Sequence, residues 1–183
     1  KHFATDFRDI PLPDEGCSTI HINNNSTIAG QTWDMHGSAK NYLCLIEIPE
    51  HNNNPGAICF SLVGCVGMMG INTHNLMIGV NNINTKNAKA GVIWPVLIRK
   101  VLLEKQFEPF RNKLINSPVT SGHNYLISTT GTGEHWEITP SEQECVSQLL
   151  DNKKGHIFHT NHCLGKKIIP HEDSLSVNST TKV

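Results

Sequence analysis

No Cys-x-x-Cys pair occurs among Cys17, Cys44, Cys59, Cys65, Cys145 and Cys163, which argues against a zinc ribbon and a dithiol redox motif. The zinc-protease pattern His-Glu-x-x-His is missing too. No apolar run approaches the roughly 18–20 residues of a membrane-crossing helix. No secretory signal is visible, and no segment repeats. Basic charge is not in excess: the net charge is −1 with histidine neutral. Nothing basic enough to grip a phosphate backbone is present, so nucleic acid is not expected as a partner. Gly64, Gly67 and Gly70 recur every third residue, which is not the G-x-G-x-x-G spacing of a dinucleotide site. They read instead as tight turns and close backbone packing in a β-rich core. No cofactor is expected. Six scattered cysteines in a mid-sized chain point to a reducing, cytoplasmic setting.

What is present is an ordinary globular composition. The 183 residues are 38% hydrophobic and 17% charged, enough for one domain with a real core. Asparagine is abundant, so the Asn-x-Ser/Thr sites at Asn24, Asn25 and Asn178 carry no glycosylation reading. The chain begins at Lys1 rather than Met and ends at Val183 in a polar stretch, and a fragment of a longer protein is expected. Residues 1–16 read as a leader and 17–183 as one domain.

Alternation and apolar runs predict strands over 18–23, 27–34, 42–48, 57–63 and 76–83. The first two form a hairpin through an asparagine turn. Helical spacing follows from Val92 to Leu103, with Pro95 in the opening turn, and a second helix over 107–115 stops before Ser117-Pro118. Strands resume over 124–129, 134–139, 145–150 and 156–161, with 131–133 as a hairpin turn. Strands, then a helical pair, then strands predict an α+β fold with helices laid on an antiparallel sheet.

Several constellations could carry chemistry. Cys17 follows Gly16 at the start of the first strand. A thiol there can attack the preceding carbonyl, and glycine has no Cβ to block the approach. Cleavage of Gly16–Cys17 would give Cys17 an α-amine, which titrates near ~8 and can act as base for its own thiol. The alternative is a half-buried strand cysteine. Asp34 ends the second strand opposite Cys17, where a carboxylate can hold the amine or orient a substrate. Asn81 and Asn161, at strand ends, are candidate donors for a developing oxyanion, or plain turn residues. His156, His159, His162 and His171 form the densest histidine group. Strand alternation separates His159 from His156 and His162, so no metal site is expected. A papain-like pair of cysteine with His36 or His162 lacks its local signature.

Five blocks in order resemble a known family. Gly16-Cys17-Ser18 followed by Gly30-Gln31-Thr32-Trp33-Asp34 is similar to the opening of the penicillin acyltransferase-like family, the acyl-coenzyme A:6-aminopenicillanic acid acyltransferase type of N-terminal nucleophile cysteine hydrolases. The glycine turn 64–72 with Leu76 and Val80-Asn81, the helix segment 99–104, Gly122 to Leu126, and His159-Thr160-Asn161-His162 resemble its later blocks. Asn75 replaces the usual glycine, and Ser18 the usual threonine. The resemblance implies a four-layer αββα sandwich, incomplete at the C-terminus, since the family continues with further strands, helices and a functional arginine. It implies self-cleavage before Cys17. The activity implied is amide hydrolysis or acyl transfer on linear non-peptide C–N bonds, through an acyl-cysteine. Cys17 would be the nucleophile, Asp34 would position amine or substrate, and Asn161 would be the oxyanion donor with Asn81 a second. The partner implied is a small-molecule amide or acyl-coenzyme A; a homo-oligomer is left open. The rival expectation is a non-catalytic domain that keeps the fold as a binding or structural module.

Overall fold

The computed structural model describes residues 16–35 and 37–173. The ten strands are β1 (Gly16–Asn23), β2 (Thr27–Asp34), β3 (Leu43–Ile48), β4 (Ala57–Leu62), β5 (Met69–Asn72), β6 (Met77–Asn82), β7 (His123–Thr129), β8 (Thr132–Ile138), β9 (Gln143–Leu149) and β10 (Gly155–His159). Helices α1 (Trp94–Val101) and α2 (Phe107–Ile115) fall between β6 and β7. All sheet pairings are antiparallel: β10-β1-β2 makes a small sheet, and β3 through β9 make a seven-stranded sheet in chain order.

The expected α+β class holds, with local corrections. The glycine stretch contains a strand, β5, rather than turns alone. It pairs with β4 because Gly70 lets the two backbones close: a Cβ there would meet the Ile58 carbonyl oxygen at 2.5 Å. The turn between β7 and β8 is Thr130-Gly131, one position earlier than predicted, with Gly131 at φ +75°. Helix α1 is shorter than its apolar pattern, since Leu102 closes it while staying buried. The strand expected over 156–161 stops at His159, so Asn161 lies on the loop beyond.

Period-two alternation gives the seven-stranded sheet two unlike faces. Ile78, Val80, Tyr125, Ile127 and Ile138 turn to the helices and pack with Leu97, Ile98, Val101, Phe110 and Leu114 in one core. Each such buried aliphatic chain stabilises by about 1.5–3 kcal/mol. Over β6 to β8 the opposite face is largely polar. Asn81, Asn124, Ser128, His135 and Glu137 are buried there against Thr19, His21 and His159 of the small sheet. Thr19 Oγ1 donates to Asn81 Oδ1 at 2.7 Å, and Asn124 Nδ2 donates to the same oxygen at 2.7 Å and to His135 Nδ1 at 3.1 Å. Two glycines let the sheets approach. A Cβ on Gly133 would enter the His21 ring, and one on Gly79 would meet Gln31 Oε1 at 2.8 Å. Gln31 uses that room to pair with both main-chain groups of Val80, accepting from its N–H at 2.7 Å and donating to its carbonyl at 2.9 Å.

The layers are therefore helices, large sheet, small sheet. These are three of the four layers of the expected sandwich; a second helical layer is not among the described residues. Also among the described residues, no helix is long and apolar enough to cross a membrane.

Candidate active site

Cys17 is the second residue of β1, half-buried, on the alternation that turns Thr19 and His21 inward. Its backbone N–H donates to Asn161 Oδ1 at 2.6 Å, a contact spanning 144 positions of sequence. Strand pairing makes that reach possible. β1 pairs with β10 in the register Thr19↔His159, so the loop leaving β10 runs past the start of β1. Asn161 Nδ2 donates to the Asn82 carbonyl at 2.9 Å, which ties the same side chain to the end of β6.

Asp34 stands directly across from Gly16, and Trp33 across from Cys17, so the hairpin pairing is offset by one from the expected Cys17–Asp34 match. Asp34 is exposed. Trp33 reaches the large sheet, edge-on to Phe60 at 6.1 Å between ring centres. Asn81 is fully buried one layer deeper, holding Thr19 and Asn124 and donating to the His159 carbonyl at 3.4 Å. A Cβ on Gly16 would lie 3.4 Å from Asn161 Oδ1, ordinary contact.

The loop carrying Asn161 is held by acids. Glu137 Oε1 accepts from His159 Nε2 at 2.7 Å and from the Leu164 N–H at 2.7 Å; its Oε2 accepts from the Gly165 N–H at 2.9 Å. Glu172 accepts from the Cys163 N–H and Glu144 from the Lys167 N–H, each at 2.8 Å. These three glutamates were invisible as site residues in the sequence. The only signal was alternation: Gly133, His135 and Glu137 share one strand face that apolar residues would normally fill.

The histidines gather differently from the expected group. His159 sits 5.6 Å from His135 and 6.2 Å from His162 between ring centres, while His156 stacks on Phe158. Among the described residues, no three His, Cys, Asp or Glu side chains are arranged to hold a metal ion. His162 Nδ1 is 2.9 Å from Thr160 Oγ1, and His36 lies outside the described residues, as does the leader before Gly16. Burial, with neighbouring His159 and His21, holds His135 down at about 3, and burial lowers His21 as well. Three other thiols are pushed up: Cys145 to about 11 by burial and Glu134, Cys59 by burial, and Cys163 by burial, Glu137 and Glu172. A raised thiol holds less thiolate and is a poor nucleophile. None of the six cysteines forms a disulfide.

A half-buried cysteine at the head of the first strand of a two-sheet α+β layer structure, with an asparagine amide on its N–H, is the arrangement to be matched. The chain belongs to the acyl-coenzyme A:6-aminopenicillanic acid acyl-transferase family, whose profile matches residues 22–182. That match begins at Ile22 and leaves Gly16 and Cys17 outside it. Among solved structures, penicillin V acylase from Agrobacterium tumefaciens is similar at 11% identity and a TM-score of 0.40. The alignment covers 84% of this chain and 44% of the acylase, so the chain spans less than half of that protein's length. No curated protein matches.

Proposed function

We propose that residues 17–183 are part of a self-processing cysteine amidohydrolase or acyltransferase, and residues 1–16 the end of its removable leader. One observation carries this reading: the Cys17 N–H on Asn161 Oδ1 at 2.6 Å, in a chain of this family. The Cys17 thiol attacks the Gly16 carbonyl. The C–S bond forms, the C–N bond breaks, and a proton passes to nitrogen. Water then hydrolyses the thioester, leaving a Gly16 carboxylate and a Cys17 α-amine. In this reading Asn161 Oδ1, the acceptor of the Cys17 N–H, would hold that amine, and Asp34, paired in the hairpin with Gly16, would position the amine or the substrate. The amine takes the thiol proton, and the thiolate attacks a linear, non-peptide amide or an acyl-coenzyme A thioester. The tetrahedral oxyanion needs N–H donors, each worth about 2.7–4 kcal/mol. The Asn161 amide, swung from Asn82, is the first candidate; Asn81, expected as a second, is buried a layer deeper with its amide on the His159 carbonyl and would have to leave that bond to serve. The leaving group departs protonated, and water or an amine resolves the acyl-cysteine.

Intact mass and N-terminal sequencing test this on the wild type and on Cys17→Ala. The expected result is a chain starting at Cys17 in the wild type and an uncut Cys17→Ala. An uncut wild type identical to the variant would sink self-processing and favour the non-catalytic alternative.

A further inference from the structure

The Glu137 main chain belongs to β8 of the large sheet, yet its carboxylate bonds to the 159–165 segment. Its side chain is 0% exposed. One oxygen takes the His159 ring and the Leu164 N–H; the other takes the Gly165 N–H. Asn161 lies between those attachment points, two residues after His159 and three before Leu164. A single carboxylate thus clamps both ends of the short loop that carries Asn161. His159 is itself locked, since its Nδ1 lies 2.7 Å from the Thr160 carbonyl oxygen. The approach is tight at the far end as well: a Cβ on Gly165 would meet Glu137 Oε2 at 3.0 Å and Glu144 Oε2 at 2.9 Å.

Three donors on one buried carboxylate form a strong, geometrically fixed anchor, because charge-assisted bonds are roughly twice as strong as neutral ones. Glutamine cannot replace it without loss. Its NH₂ would face one of the backbone N–H groups, donor against donor. Neutral packing would not fix the loop either, because Asn161 makes its two bonds at Cys17 and Asn82 with a single short side chain whose reach is set by the backbone.

We propose that Glu137 is the positioning residue of the site: it sets Asn161 against the Cys17 N–H through the loop it clamps. This rests on the reading that Asn161 serves Cys17, and two separate measurements keep the two ideas apart. The first needs no activity. In the full chain carrying Cys17→Ala, the amide at position 17 is followed by hydrogen exchange. Glu137→Gln is expected to speed its exchange at least tenfold, as Asn161→Ala does. Glu144→Gln, which releases only the Lys167 N–H further along the loop, leaves it unchanged. An amide at position 17 as protected in Glu137→Gln as in its parent overturns the proposal, whether or not the protein cleaves itself. The second measurement uses the rate of cutting at Gly16–Cys17 in the chain that retains Cys17. Glu137→Gln and Asn161→Ala should each slow it tenfold or more, and the double variant should be no slower than Asn161→Ala alone. Multiplying deficits in the double variant would show two independent effects and overturn the positioning role. A wild type that is not cut refutes self-processing, and leaves the exchange experiment to decide on Glu137. Should Glu137→Gln fail to fold, Glu137→Asp keeps the charge but retracts it by one methylene. Exchange at position 17 is then expected to rise part of the way, and no rise overturns the clamp.

Discussion

His135 receives a hydrogen bond from Asn124 on Nδ1 and lies against the ring of His159, with His21 adding to the repulsion of a charge there. Protonating Nδ1 would set two donors against each other and place a charge in a buried layer between sheets. Between the ordinary value near 6.5 and about 3, the unfolded chain binds a proton here and the folded chain does not. Stability is therefore full above about pH 6.5 and falls as the pH drops toward about 3, at up to about 1.4 kcal/mol per pH unit for this group. His21, lowered by burial, acts in the same direction. Melting temperatures measured from pH 7.5 to 4.5 should fall in the wild type. The decline should be shallower in His135→Asn, whose amide oxygen can take the Asn124 bond. An equal slope in both would remove His135 as the cause. None of this was legible in the sequence. Alternation predicts the strand over 134–139 but not what covers its faces, and the small sheet stacked on one face makes His135 and Glu137 interior.

Helix α1 shows the opposite case, an element almost fully specified by its own residues. Pro95 starts it, and Leu97, Ile98 and Val101 lie on one stripe that is wholly buried. Truncating Ile98→Ala should cost about 2–5 kcal/mol by chemical denaturation, since the cavity opens in the middle of the helix–sheet core. A loss under about 1 kcal/mol would mean that the helix does not pack as described. The hairpin of β1 and β2 was equally plain, because alternation and an asparagine turn are local signals. Strand β5 was not: in Met69-Gly70-Ile71-Asn72 only Ile71 is a strong strand former, and the strand exists because β4 and β6 flank it. The site divides in the same way. Cys17 and Asp34 follow from a hairpin, with the pairing one residue off, whereas the meeting of Cys17 with Asn161 depends on the β1–β10 register, which no local pattern encodes.

At the scale of the whole chain, the two sheets are unequal in width. Among the described residues, the small sheet lies over β6 to β9 and reaches β4 only through Trp33 on Phe60, and it leaves much of the apolar face of β3 to β5 uncovered: Leu43, Leu45, Ile58 and Ile71 are all exposed, Leu45 at 72%. β3 is also the edge of its sheet. An apolar face beside an open edge invites association between copies. The chain on its own should bind a hydrophobic dye and self-associate with rising concentration in sedimentation. Leu45→Lys should weaken both while leaving the melting temperature nearly unchanged; an unaltered profile would show that this face is not the adhesive one. The contact between Cys17 and Asn161 has a further consequence, one of timing. Closing a loop of 144 residues costs about 4 kcal/mol of chain entropy before any local gain, and pairings this distant form late in folding. β1 is synthesised before β10 and waits for it. A cut at Gly16–Cys17 that needs Asn161 would then report assembly, made only by molecules in which the start of β1 and the loop after β10 have already met.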